Sequence, residues 1–324
     1  MLSKAPNLRG TFLSSRENNY INPEVTSQKI NSIDASYIYR GPGVKARLTG
    51  YMTNFTDGVE SGFYFAEGAY LTNENDSSSS SFISEVTTGI DKQNMGIEFG
   101  MEVQVTPTIK ITGVASIADY RYSDNADHLF VSEDEDSSSK GYVDFGKVYL
   151  KNYKTGGTAQ QAYSLGFEYR DPKYWWFGVN GNYIADNYIN LTRFTRTDYF
   201  YKDGYYLMDD GNLSPGVVSV NPETGNAVNQ QDVDSLLTQE KFAPVFLLNA
   251  VGGKSWKLGN KYVGFFASIS NILGRDYKTG GFEQARKANF AALQEDKHRE
   301  TPIFGSKYWY GNKATYYLNL YLRF

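Results

Sequence analysis

In residues 315–324, every second position is apolar or aromatic: Tyr316, Leu318, Leu320, Leu322 and Phe324. Thr315, Tyr317, Asn319, Tyr321 and Arg323 fall between them and are polar or amphipathic. A period of two sends the two sets to opposite faces of a strand. One face suits hydrocarbon and the other suits water, as in the strands of a transmembrane barrel. The closing strand of a soluble sandwich could read the same way, so these residues alone leave both open.

The alternation returns along the chain. Ile33, Ala35, Tyr37 and Tyr39 oppose Ser32, Asp34, Ser36 and Arg40, and Gly41-Pro42-Gly43 reads as a tight turn. Val44, Ala46, Leu48, Gly50 and Met52 then oppose Lys45, Arg47, Thr49, Tyr51 and Thr53. The clearest stretch sets Met95, Ile97, Phe99, Met101, Val103 and Val105 against Gly96, Glu98, Gly100, Glu102, Gln104 and Thr106. Pro107 turns it, and Ile109, Ile111, Gly113, Ala115 and Ile117 carry the return. Tyr163, Leu165, Phe167 and Tyr169 lead through Asp171-Pro172 into Tyr174-Trp175-Trp176-Phe177, an aromatic run placed where an interfacial girdle belongs. A further hairpin joins 243–256 to 262–272 over Leu258-Gly259-Asn260.

Connection length has a direction. The turns at 41–43, 107, 171–173 and 258–261 are short, while those at 57–93, 119–157, 192–241 and 274–306 are long and polar. Short and long alternate through about nine strands, the rule for barrels with short periplasmic turns and long outer loops. Soluble sandwiches spread loop length more evenly. The expectation is an all-β, antiparallel transmembrane barrel portion over 29–324, preceded by an aperiodic loop segment at 1–28.

Composition agrees. Aromatics make up 16% of the chain, with 27 Tyr and 20 Phe, and mean hydropathy is −0.49. No run approaches the ~18 apolar residues of a membrane helix. A net charge of −4 argues against a nucleic-acid partner, and there is no cysteine. Residues 1–10 lack the apolar core of a secretion signal.

Several segments resemble a known family. These are NSIDASYIYR (31–40), ARLTGYMTNF (46–55), AYSLGFEYRDPKYWWFGVNGNY (162–183), NAVGGKSWKL (249–258), GFFASISNIL (264–273), TGGFEQAR (279–286), FGSKYWY (304–310) and the closing strand. Together they resemble the C-terminal part of the barrel of TonB-dependent outer-membrane receptors of the Bacteroidetes type. The resemblance is weakest at 124–145; GGFEQ and Asn271-Ile272-Leu273 are its more telling parts. It implies a place in the bacterial outer membrane and energy-coupled import of a scarce siderophore, vitamin, glycan or peptide. Such a barrel has about 22 strands and surrounds an N-terminal plug. The chain is then expected to be the later part of one, without signal, TonB-binding segment, plug or the earlier strands, so that TonB would act only through that missing region. The terminal Phe324 with its alternating residues resembles the signal read by the barrel-assembly machinery. A surface adhesin barrel and a small passive porin are the alternatives.

Candidate chemistry is confined to the long connections and the polar strand faces. The histidines, His128 and His298, each fall in a long connection, with no Ser or Asp beside a strand histidine as catalysis requires. No enzyme activity and no cofactor are expected. The acidic run 133–136 and Asp209-Asp210-Gly211-Asn212 offer oxygen ligands to calcium only weakly, because neither has the spacing of a dedicated calcium loop. Phe194, Tyr199, Phe200, Tyr201, Tyr205 and Tyr206 are candidates either to stack on a ligand or to pack the loop that carries them. Lys45, Arg47, Glu98, Glu102 and Arg170 are expected to line the wet interior as an ion-pair network.

Overall fold

The computed structural model describes residues 2–14, 19–67, 80–133, 141–284, 286, 289–303 and 305–324. Among these residues, nine long strands, in sequence order, form the body of a twelve-stranded antiparallel sheet, whose three short members are Leu2–Lys4, His128–Glu133 and Val143–Asp144. The nine are β1 (Gln28–Gly41), β2 (Val44–Glu67), β3 (Ser80–Thr106), β4 (Ile109–Tyr122), β5 (Gln161–Arg170), β6 (Trp175–Ala185), β7 (Val245–Leu258), β8 (Lys261–Ser270) and β9 (Thr315–Arg323). A short strand, Leu2–Lys4, pairs with the start of β1.

Three turns at one end use two residues, Pro42-Gly43, Pro107-Thr108 and Gly259-Asn260. Gly43 and Gly259 hold positive φ there, which a side chain would oppose. At the fourth, Asp171 accepts the Lys173 N–H at 2.7 Å and fixes the bend.

Register converts alternation into two faces. Gly41, Val44, Val103, Ile111, Phe167, Val179, Ala250, Ile269 and Tyr316 form one row of neighbours across all nine strands. Tyr37, Leu48, Phe99, Ala115, Tyr163, Tyr183 and Phe246 form another. The intervening row reads Arg40, Lys45, Glu102, Thr112, Gly166, Asn180 and Asn249. The apolar face is bare: Ile33 and Leu165 are each 67% exposed and Leu320 is 75% exposed. Tyr316, Leu318, Leu322 and Phe324 are exposed with it.

The core lies elsewhere. Buried apolar side chains gather in the long connections and in the parts of β2 and β3 farthest from the short turns. The largest cluster holds Ile83, Leu129, Val131, Phe145, Leu150, Phe194 and Tyr205. A second joins Phe200 and Phe290 to the helix α2 (Gln230–Leu236). A third sets Leu13 against Val86 and Phe130.

Two expectations need correction. The connection expected at 57–93 is largely strand, because β2 runs on to Glu67 and β3 starts at Ser80. Protein covers both faces of that extension, so Ser84, Glu85, Val86, Thr87 and Thr88 are all buried and the period of two vanishes. The segment 1–28 is not simply loop. Asn7 caps the helical turn α1 (Leu8–Thr11), Asn22 donates to the Gly10 carbonyl, and the Leu13 carbonyl accepts from Ser84 Oγ at 2.8 Å. Strand Leu2–Lys4 and this turn strap the segment to β1–β3.

Candidate ligand-binding region among the long connections

The long connection after β6 is held by two arginines one helical turn apart, Arg193 largely covered and Arg196 fully buried. Arg193 donates to Glu60 on β2 and to Glu85 on β3, each at 2.8 Å. Lys92 also pairs with Glu60, and the Tyr64 hydroxyl donates to Glu85 at 2.8 Å. Burial pushes the Glu60 carboxyl upward, but Lys92 and Arg193 outweigh it and hold it below its ordinary range. Burial also drives the Tyr64 hydroxyl well above the usual tyrosine range, reinforced by Glu85.

Arg196 makes a fork with Glu283, at 2.6 Å and 3.0 Å, and also donates to the Thr192 and Leu237 carbonyls. Its guanidinium lies 4.8 Å from the centre of the Tyr153 ring. Two parallel N–H···O contacts fix orientation as well as charge. Glu283 belongs to the GGFEQ stretch, which docks as backbone too: Asn190 N–H donates to Gly281 O and Glu283 N–H to Asn190 O. That stretch therefore clamps the connection between β8 and β9 onto the one between β6 and β7.

Beside the clamp is a cavity of about 480 Å³. Ile189, Leu237 and Leu293 give it apolar walls, and Glu240, Lys297 and Tyr308 face it as well. Its carboxylates are already engaged. Glu240 accepts from Lys278 at 2.7 Å and from the Tyr308 hydroxyl at 2.6 Å, Glu283 is held by Arg196, and Asp296 accepts the Ile303 N–H at 3.0 Å. Lys297, at the end of α3 (Phe290–Lys297), donates to the Leu236 carbonyl. Burial lowers its proton affinity below the usual lysine range, against the upward pull of Glu283 and with the help of Arg196. The cavity can hold a compact molecule with an apolar body and polar groups turned toward Lys297 and Tyr308.

The candidate aromatics divide. Phe194 packs on Phe145 with ring centres 4.8 Å apart, Phe200 packs on Phe290, and Tyr205 packs on Tyr199 and Phe145. Phe194, Phe200 and Tyr205 are buried and present no ring to a ligand, because the connection needs them as its own core. Tyr199, Tyr201 and Tyr206 are only partly buried. Tyr201 helps line a smaller cavity of about 250 Å³ beside Arg196 and Asp198.

The charged residues expected to line an interior share the polar face. Lys45 meets Glu102 at 3.4 Å, Lys110 bridges Glu102 and Glu168 at 3.6 Å and 3.7 Å, and Arg170 closes on Glu168. Arg47 instead donates to Thr49 and Ser36. Glu98 sits in the row of Ser36, Thr49 and Ser116. Lys110 and Glu168, which complete the ladder, were legible as neighbours only once register was known.

His128 lies on a strand, His128–Glu133, where its Nδ1 is 2.9 Å from Asp144 and its ring stacks on Phe130. His298 pairs with Glu223 at the surface. At 209–212, Asp210 accepts from Asn212 and Gly211 holds positive φ, the makings of a tight turn. Residues 134–136 of the acidic run lie outside the described residues. Among the described residues, no three His, Asp or Glu side chains converge as a metal site would need.

No family model matches the sequence, and no curated protein matches it. Among solved structures the chain is similar to the copper transporter OprC, at 15% identity and TM-score 0.43 over 91% of this chain and 31% of that one. It is likewise similar to the ferric-catecholate import receptor Fiu from E. coli K12 (12% identity, TM-score 0.43, 94% of this chain and 29% of that one). A third is FpvAI in complex with pyocin S2 (9% identity, TM-score 0.44, 99% of this chain and 29% of that one). The chain thus spans less than a third of the length of each. Likeness this shallow transfers no residue and no ligand.

Proposed function

We propose that the chain is part of an outer-membrane import receptor, a set of barrel strands whose long connections form the outward, ligand-catching end. The observation that carries this is the placement of apolar surface. Apolar rows cross the nine strands without any residue of the nine-strand row being buried, and Ile33, Leu165 and Leu320 on the same face stand largely exposed, while the packed core sits among the long connections. In water that arrangement exposes the wrong face. In a bilayer, the ~9–11 residues a strand needs to cross match the alternating stretches beside the short turns. The other face, with its ladder of Lys45, Glu102, Lys110, Glu168 and Arg170, would then meet water inside the barrel.

On this reading the cavity beside Arg196 and Glu283 receives the ligand, while Tyr201 lines the smaller cavity and Tyr206, only partly buried, is a further candidate contact on the same connection. Energy coupling through TonB, a plug and further strands belongs to the same proposal and would come from outside this stretch of sequence. Membrane lipid and the barrel-assembly machinery are the partners implied for the apolar face and for the strand ending in Phe324.

The test is location with orientation. In cells, the protein should fractionate with outer membranes, and protease added outside should cut within 192–241 while sparing the turns at 41–43 and 258–261. Recovery in the soluble fraction would overturn the reading.

A further inference from the structure

Close to the short turns, the apolar face carries two lysines among the described residues, Lys254 and Lys261. The rows there read Trp175, Lys254, Phe265 and Leu320, then Trp256, Val263 and Leu322, then Leu258 and Lys261. Lys254 therefore projects on the apolar side, with Trp175 on one neighbouring strand and Phe265 on the other. Its ammonium lies 5.7 Å from the centre of the Trp256 ring, and that of Lys261 lies 5.0 Å from the centre of Phe324. The aromatic belt continues through Tyr169 and Phe177, which contact Trp175.

Neither lysine has an acidic partner within ion-pair distance among the described residues, although the nearby polar face is rich in pairs. Asp171, in the adjoining turn, feels the charge of Lys254 but makes no ion pair with it, being engaged by the Lys173 N–H at 2.7 Å and the Tyr169 hydroxyl at 2.9 Å. A lysine aimed into hydrocarbon is costly, but near an interface its stem lies along apolar surface and its charge reaches the headgroups. The ring faces of Trp256 and Phe324 favour a cation beside them and leave the outer side of each ammonium open. What complements two unpaired cations on a lipid-facing aromatic belt is an anion delivered by the lipid.

We propose that Lys254 and Lys261, framed by Trp175, Trp256 and Phe324, form a site for the headgroup phosphate of an anionic phospholipid in the leaflet that meets the short turns. The site rests on the membrane reading, and it adds to that reading a lipid preference that a general hydrophobic belt does not have.

Trp175 and Trp256 supply the probe. The full chain is refolded into phosphatidylcholine vesicles containing equal small fractions of brominated phosphatidylglycerol or brominated phosphatidylcholine, and tryptophan quenching is compared. Brominated phosphatidylglycerol should quench more, with a preference of roughly fivefold per lysine that weakens at high salt. The pair Lys254→Gln and Lys261→Gln should abolish the preference, and Lys254→Arg with Lys261→Arg should keep it. Lys257→Gln should also keep it, because Lys257 pairs in register with Tyr262 and Arg323 on the polar face. Equal quenching by the two lipids in the unsubstituted chain, or loss of preference in Lys257→Gln, would overturn the site and leave the membrane reading standing. Absence of quenching by either lipid would overturn the membrane reading itself. Should the Gln pair fail to refold, the unsubstituted chain and the Arg pair still decide the matter.

Discussion

Arg193 Nη2 donates to Glu85 Oε1 at 2.8 Å, joining residues 108 apart in sequence. The Glu85 side chain is 4% exposed, so the contact is a buried charge pair that locks the connection after β6 onto the outer part of β3. Replacing one partner strands the other. Arg193→Met is expected to destabilise the packed connections by about 3–5 kcal/mol. Limited proteolysis in increasing urea should show cleavage within 192–241 at lower denaturant than in the parent chain, with the strands beside the short turns still protected.

Glu60 adds a pH dependence to the same network. Its carboxyl is held below the ordinary value of 4.5 in the folded chain. A depressed carboxylate contributes stability that is present above the unfolded value and lost as pH falls through the folded one. Protease resistance of the long connections should therefore decline below about pH 4.5. Glu60→Gln should flatten that decline and lower resistance at neutral pH, because Lys92 and Arg193 lose their shared anion.

Two loop aromatics separate packing from ligand contact. Phe194→Ala removes a ring buried against Phe145 and should cost about 3–5 kcal/mol, read as a lower denaturation midpoint. Tyr206→Ala should leave the midpoint nearly unchanged and act, if anywhere, on ligand retention. Equal midpoints for the two variants would contradict the loop core described here.

How much of this was legible in the residues follows from what covers each strand. Where one face meets protein or water and the other is bare, as from Met95 to Val105, the alternation gave strand, register and turn together. Where both faces are covered, as from Ser84 to Thr88, no period survives and the sequence there reads as a loop. The aromatics of 194–206 were visible, but burial of Phe200 depends on Phe290, far along the chain. The arginine clamps were missed for the same reason. Arg193 and Arg196 find Glu60, Glu85 and Glu283 only after folding, and nothing local marks them. Glu283 alone had a signal, as part of the GGFEQ stretch.

A single charge on the bare face distinguishes bilayer from water. Leu165 is 67% exposed in the row of Tyr39, Ala46, Met101 and Leu248. In a water-soluble sheet Leu165→Arg would be nearly neutral. Facing the bilayer middle, it should cost about 2–4 kcal/mol, seen as a lower yield of vesicle-refolded protein. Ser164→Arg, on the polar face, should refold nearly as well as the parent.

The central claim is that successive residues of one strand meet lipid and water in turn. The chain has no cysteine, so single cysteines can be placed at each position of β5 and spin-labelled without background. In refolded vesicles, labels at 163, 165, 167 and 169 should collide with oxygen dissolved in the bilayer and escape a water-soluble nickel reagent. Labels at 162, 164, 166 and 168 should show the reverse. Opposite phases along the strand are the result the account predicts, and equal access of the nickel reagent to both sets would contradict it.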